Sequence, residues 1–274
     1  GARADWTALA DAGIDTASVA DRLEEEGLAA FAKSFETLLG QIAAKREIIS
    51  AESGVVDAGL ADLERALFSS RLWAKDASLW KKSADHQKII KNSLGWLTAP
   101  EAMAVGLGAV RGFVSEVQKD GFTTAVVLGM GGSSLACEVM KRCFPVKKGF
   151  LRLEVLDSTN PGTVAAMTAS LDLPRTLFIV SSKSGSTIEP NCFLEHFFAA
   201  AQKTSGKKAA AQFVAITDPG TSLEKLARKR GFRKVFTNPS DVGGRFSALT
   251  LFGLVPAALM GVDVEKLLDR ARQA

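Results

Sequence analysis

Apolar positions change their period once, decisively, along the chain. Between residues 6 and 46 they recur every three to four places, as Val19 and Leu23 and then Leu28, Phe31, Phe35, Leu38, Leu39 and Ile42. That spacing predicts helices with one apolar stripe. Asp15 or Thr16 is placed to cap the first helix, and Gly27 to break it from a second. Residues 47–118 keep the helical period but are punctuated by Ser53-Gly54 and Asp57-Ala58-Gly59. Their stripe runs through Leu60, Leu63, Leu67, Leu72 and Trp73, and Pro100-Glu101 opens a last helix that reaches about Val117. Trp73, Trp80 and Trp96 read as packing anchors. His86 reads as an exposed residue near a helix start, and Glu24-Glu25-Glu26 as a solvated face.

Past Gly121 the pattern becomes short continuous apolar runs, each followed by a turn and an amphipathic stretch. The runs lie at 123–128, 151–156, 176–180, 212–216 and 234–236. Helical stretches intervene at 135–143, at 162–170, after the third run, and from Ser222. Continuous rather than alternating apolar runs are those of strands covered on both faces. The expected fold is therefore α/β, a doubly wound, mostly parallel five-stranded sheet preceded by an all-helical N-terminal segment. We divide the chain into residues 1–47, a helical connector 48–118, and the sheet domain 119–274.

Composition narrows the partners. The 47% hydrophobic and 23% charged fractions suit an ordinary globular protein. The net charge of +4 comes from basic residues scattered among acids, which gives no footprint for nucleic acid. No apolar run approaches membrane-spanning length and no signal pattern opens the chain, so the expectation is a cytoplasmic protein without a membrane partner. Cys137, Cys143 and Cys192 fall in predicted helices and read as reduced thiols in or near the core. His86 and His196 have no ligand partner at helical spacing, and no metal site is expected.

The chemistry lies in three loops. Ser181-Ser182-Lys183-Ser184-Gly185-Ser186-Thr187 joins the third strand to a helix, where free N–H groups and a helix dipole converge. Ser182, Ser184, Ser186 and Thr187 add hydroxyl donors, Lys183 adds charge, and Gly185 lets the backbone bend. This is a phosphate cradle without the spacing of a nucleotide-triphosphate loop. Gly129-Met130-Gly131-Gly132-Ser133-Ser134 follows the first strand. Asp157 after the next strand invites a dinucleotide reading, but Ser134 stands where the third fingerprint glycine belongs, and no cofactor is expected. In the third loop, two glycines and Arg245 stand in the run Asn238-Pro239-Ser240-Asp241-Val242-Gly243-Gly244-Arg245-Phe246-Ser247. They allow a tight backbone beside a guanidinium that can fork onto an anionic oxygen.

In chain order, with the glycine loop first, the serine loop second and the arginine loop third, the three loops closely resemble the sugar isomerase domain of the glucose-6-phosphate isomerase family. The resemblance runs from about Phe122 to Val262 and includes Leu254-Val255-Pro256-Ala257-Ala258-Leu259. A second resemblance covers residues 14–39, which are similar to the C-terminal helices of bacterial transaldolases. Together they point to a fusion of the two enzymes, with this chain at the junction. Residue by residue, the resemblance implies that Gly132 and Ser133 lie near the sugar, and that Ser182, Lys183, Ser184 and Thr187 hold its phosphate. Arg245 is implied to be catalytic, stabilising a cis-enediolate, and Glu189 to be a supporting carboxylate. Glu189 equally suits the plain role of an acid at a helix start.

The implied reaction is cofactor-free interconversion of glucose 6-phosphate and fructose 6-phosphate. The family's glutamate base, ring-opening histidine and late lysine would follow Ala274, and the transaldolase Schiff-base lysine would precede Gly1. The expectation is thus a piece of a larger enzyme, inactive alone. The sequence does not fix its oligomeric state, and the resemblance implies a homo-dimer only in that family members commonly pair. A phosphosugar-sensing module without catalysis is the alternative.

Overall fold

A computed structural model describes residues 8–9, 11–51 and 55–273. The chain divides into two compact units, residues 1–70 and residues 71–274.

The first unit is helical. Its principal helix, Thr16–Ala51, is capped by Asp15, whose carboxylate accepts from the Ser18 N–H at 3.3 Å. Gly27 does not break it, contrary to the sequence expectation. A mid-helix glycine costs only about 1 kcal/mol relative to alanine, and the surrounding Glu, Leu and Ala residues favour helix. Glu24, Glu25 and Glu26 face solvent as expected. The apolar stripe is not buried: Leu28, Phe31, Phe35, Leu38, Leu39 and Ile42 are all exposed.

The second unit carries the sheet. Five strands, β1 (Thr124–Leu128), β2 (Arg152–Leu156), β3 (Thr176–Ser181), β4 (Phe213–Thr217) and β5 (Lys234–Thr237), lie in the order β2-β1-β3-β4-β5. All four pairings are parallel. Along β1, Ala125 and Val127 join one apolar cluster while Val126 and Leu128 join the other. This is the period-two alternation of a strand covered on both faces. On one face pack helices Ala99–Lys119, Leu135–Cys143, Leu251–Leu259 and Val264–Gln273, through residues such as Phe113, Val117, Met140, Leu254 and Leu268. Helices Ile188–Ser205 and Ser222–Arg230 cover the other through Phe193, Phe197 and Leu223, with Val164 of Pro161–Ser170 beside them. Phe178 of β3 stacks on both Phe197 and Phe213, with centroids 4.9 and 5.0 Å apart.

The strand order reverses between β1 and β3. In open parallel sheets such a reversal opens a crevice at the carboxyl ends of the two strands. The glycine loop follows β1 and the serine loop follows β3, so both belong to that crevice.

Several side chains depart from expectation. Trp73 and Trp80 are 63% and 42% exposed rather than anchoring a core. They lie at a six-residue helix and just after a 3-10 turn, elements too short to bury a face of their own. Trp96 does pack, stacked on Phe246 with centroids 5.3 Å apart. Among the thiols only Cys137 is buried; Cys143 and Cys192 are exposed. Burial pushes the Cys137 thiol up to about 12. His86 is exposed near the start of helix Ala84–Lys91, as expected.

Candidate functional site

The serine loop is wound by its own hydroxyls. Ser182 is buried, and its Oγ accepts from the Gly185 N–H at 3.2 Å and donates to Thr187 Oγ1 at 3.2 Å. Ser184 Oγ accepts from the Ser186 N–H at 3.3 Å and from Ser186 Oγ at 3.1 Å. It also lies 3.4 Å from Thr187 Oγ1. Gly185 has φ +69°, and a Cβ there would stand 2.8 Å from Thr221 Cβ. Glycine is thus required both for the conformation and for the space. The Ser222 hydroxyl fastens the bend by donating to the Gly185 carbonyl at 2.8 Å.

Thr187 is the N-cap of helix Ile188–Ser205, yet its hydroxyl caps no helical N–H. Turned instead into the loop, it leaves the first-turn amides unsatisfied at the positive end of the dipole. Ser184 is exposed and Thr187 half-buried, while Ser182 is nearly inaccessible. Ser182 therefore shapes the loop, and Ser184 and Thr187 present hydroxyls.

The glycine and arginine loops touch through their backbones. A Cβ on Gly132 would stand 2.4 Å from the Gly244 carbonyl oxygen, so no larger residue fits without moving a loop. Ser247 Oγ donates to the carbonyls of Gly244, at 2.7 Å, and Gly132, at 3.0 Å. From β3, Ser181 Oγ donates to the Ser133 carbonyl at 2.8 Å. These three bonds lock the crevice walls together.

Two cavities adjoin at Gly132 and Gly244. One, of about 420 Å³, is lined by Met130, Gly132 and Ser133, by Lys183, Ser184 and Thr187, and by Asp218 and Gly244. The other, of about 800 Å³, is walled by apolar side chains of helix Leu135–Cys143 and by Gly244, Arg245 and Ser247. Arg245 is exposed there and has no hydrogen bond or ion pair among the described residues. The structure thus brings Gly132, Ser133, Lys183, Ser184 and Thr187 to one cavity and Arg245 to its neighbour. Glu189 sits half-buried in the first helical turn and lines neither. His86 and His196 line neither cavity; His196 Nε2 lies 2.9 Å from Thr168 Oγ1.

Lys183 is not a free cation. Its Nζ bonds the Asp218 carboxylate and donates to the Ser240 carbonyl at 2.9 Å. Its own carbonyl accepts from the Asp218 N–H at 3.2 Å. Burial raises the Asp218 carboxyl above the usual carboxylate range; the Lys183 hydrogen bond and charge oppose this, and the charge of Asp241 adds to it. Sequence reasoning did not single out Asp218. Its signal was position: Thr217-Asp218-Pro219-Gly220 closes β4, at the same end of the sheet as the other loops.

Fold and cavities together define an α/β domain with two adjoining cavities at the reversal point of a parallel sheet, between a hydroxyl-rich loop and an arginine. The sequence profile of phosphoglucose isomerase matches residues 107–273, and the chain belongs to that family. A glucose-6-phosphate isomerase from Citrifermentans bemidjiense is 34% identical over 197 residues, covering 65% of this chain and 37% of that protein. One from a Synechococcus strain is 38% identical over 152 residues, covering 55% and 28%. Among solved structures, a hypothetical protein from Thermus thermophilus matches with a TM-score of 0.67 and 31% identity over 81% of this chain and 50% of its own. A glucose-6-phosphate isomerase from Chlamydia trachomatis matches with a TM-score of 0.54 and 25% identity, over 72% and 36%. The chain spans about a third of the length of these curated relatives. Among the described residues no helix is long and apolar enough to cross a membrane.

Proposed function

We propose that this chain supplies the substrate-holding part of a glucose-6-phosphate isomerase, which interconverts glucose 6-phosphate and fructose 6-phosphate by proton transfer through a cis-enediol. The observation that carries this reading is the pair of adjoining cavities, one with hydroxyl donors at a helix start and the other with an unpaired arginine. In this reading Ser184, Thr187 and the first amides of helix Ile188–Ser205 grip the phosphate. Ser182 holds the loop in shape, and Gly132 and Ser133 bring backbone close to the sugar. Arg245 lies where negative charge develops on the enediolate oxygens, which is when a fixed guanidinium helps most. Neither histidine reaches these cavities, so ring opening and the C1–C2 proton shuttle fall to groups elsewhere in the assembled enzyme.

The similarity of residues 14–39 to transaldolase C-terminal helices supports a fusion of the two activities. The long helix Thr16–Ala51 with its uncovered stripe agrees with an element that packs on another domain. In this reading residues 1–47 are the transaldolase-like helices, residues 48–118 the connector and start of the isomerase, and residues 119–274 the sugar isomerase domain. The test is binding of 6-phosphogluconate to this chain and to its Ser184→Ala/Thr187→Ala variant. Removal of two hydroxyl donors to a charged group should weaken binding by about 3–6 kcal/mol at most. Unchanged affinity in the variant would remove the cradle assignment.

A further inference from the structure

Lys183 and Asp218 are the ionisable residues lining the smaller cavity. Both are tied down. The lysine side chain is 31% exposed and the aspartate 14%, and they bond each other directly. Lys183 then reaches across to the Ser240 carbonyl of the arginine loop at 2.9 Å. Backbone contacts double the tie: the Asp218 N–H and, at 3.4 Å, Thr217 Oγ1 donate to the Lys183 carbonyl. One lysine thus joins the serine loop, the end of β4 and the arginine loop.

The pairing fixes the charge of the cavity. Its one ammonium is neutralised by its one carboxylate. Asp218 Oδ1 is buried without a hydrogen-bond partner, so the carboxylate retains acceptor capacity that no described donor answers. An incoming phosphate, carrying close to two negative charges, meets neutral hydroxyl and amide donors with a carboxylate beside them. Because the ion pair cancels to first order, an added anionic group gains no net attraction from it while still losing its own hydration, and a site built this way discriminates against each further charge.

We propose that Asp218 is a specificity-determining residue of this site: by holding Lys183 in place and cancelling its charge, it selects ligands with a single phosphate and rejects more highly charged ones. The inference rests on the phosphosugar reading above and extends it to the class of ligand excluded. Without Asp218 the lysine would turn the cavity into a general anion site.

Titration calorimetry on the 274-residue chain tests it, with glucose 6-phosphate and fructose 1,6-bisphosphate as probes at low and high salt. The wild-type chain is expected to bind the monophosphate in preference to the bisphosphate, with a shallow salt dependence. Asp218→Asn should bind both more tightly, by about tenfold for the monophosphate, more for the bisphosphate, and with steeper loss in salt. Adding Lys183→Met to that variant should abolish the gain. Unchanged or weaker binding by a folded Asp218→Asn overturns the inference and leaves the phosphosugar reading intact. Should that variant not fold, a steep salt dependence or bisphosphate preference of the wild-type chain overturns it instead. A wild-type chain that binds neither probe removes the phosphosugar reading, and this inference with it.

Discussion

Two helices of similar sequence character meet opposite fates. Helix Ala99–Lys119 buries Leu107, Val110, Phe113, Val114 and Val117 against the sheet, none more than 6% exposed. Helix Thr16–Ala51 repeats apolar residues at the same spacing, yet Phe31 is 81% exposed and Phe35 61%. Periodicity reports that a face wants covering; it does not report what covers it. In the first case the cover is the sheet that follows within the same unit. In the second, the described residues of its own unit do not provide it.

The largest effect that separates the two helices is a truncation at each. Phe113→Ala removes a ring that is 2% exposed and packed edge-on against Phe236, with centroids 5.2 Å apart. It should cost about 3–5 kcal/mol of stability in denaturant unfolding. Phe31→Ala should change the stability measured in the same way by under about 0.5 kcal/mol. A large loss at Phe31 would mean that its stripe is covered within this chain after all.

A smaller effect sharpens the same contrast through the thiols. Cys137 lies in the core and its Sγ lies 3.3 Å from the Phe252 carbonyl. Its thiol, pushed up to about 12 by burial, should resist a maleimide at neutral pH until denaturant is added. Cys143 and Cys192 are exposed and should label in the folded chain, so the count of modified thiols rises from two to three on unfolding. Three labelled before unfolding would contradict the packing of helix Leu135–Cys143.

The sheet domain was legible because its signals are local. Each strand is a continuous apolar run ended by a turn, and the strands fall within about a residue of the expected bounds. Helix Leu135–Cys143 falls on them. Gly27 misled because one glycine among strong helix formers bends the odds without deciding them. Trp73 and Trp80 misled because large rings usually find cover, and short elements gave them none. At the site, residue types named the three loops, but the contacts between them were beyond reach. The close approach of Gly132 to Gly244 and the neutralisation of Lys183 by Asp218 join residues 112 and 35 positions apart. Only the sheet's strand order brings such residues together.

A crystal structure of this chain with 6-phosphogluconate tests the central claim most directly. The account places the phosphorus against Ser184, Thr187 and the first turn of helix Ile188–Ser205, with the sugar extending past Gly132 and Gly244 towards Arg245. Phosphorus bound at any other part of the domain, with the serine loop left empty, would contradict it.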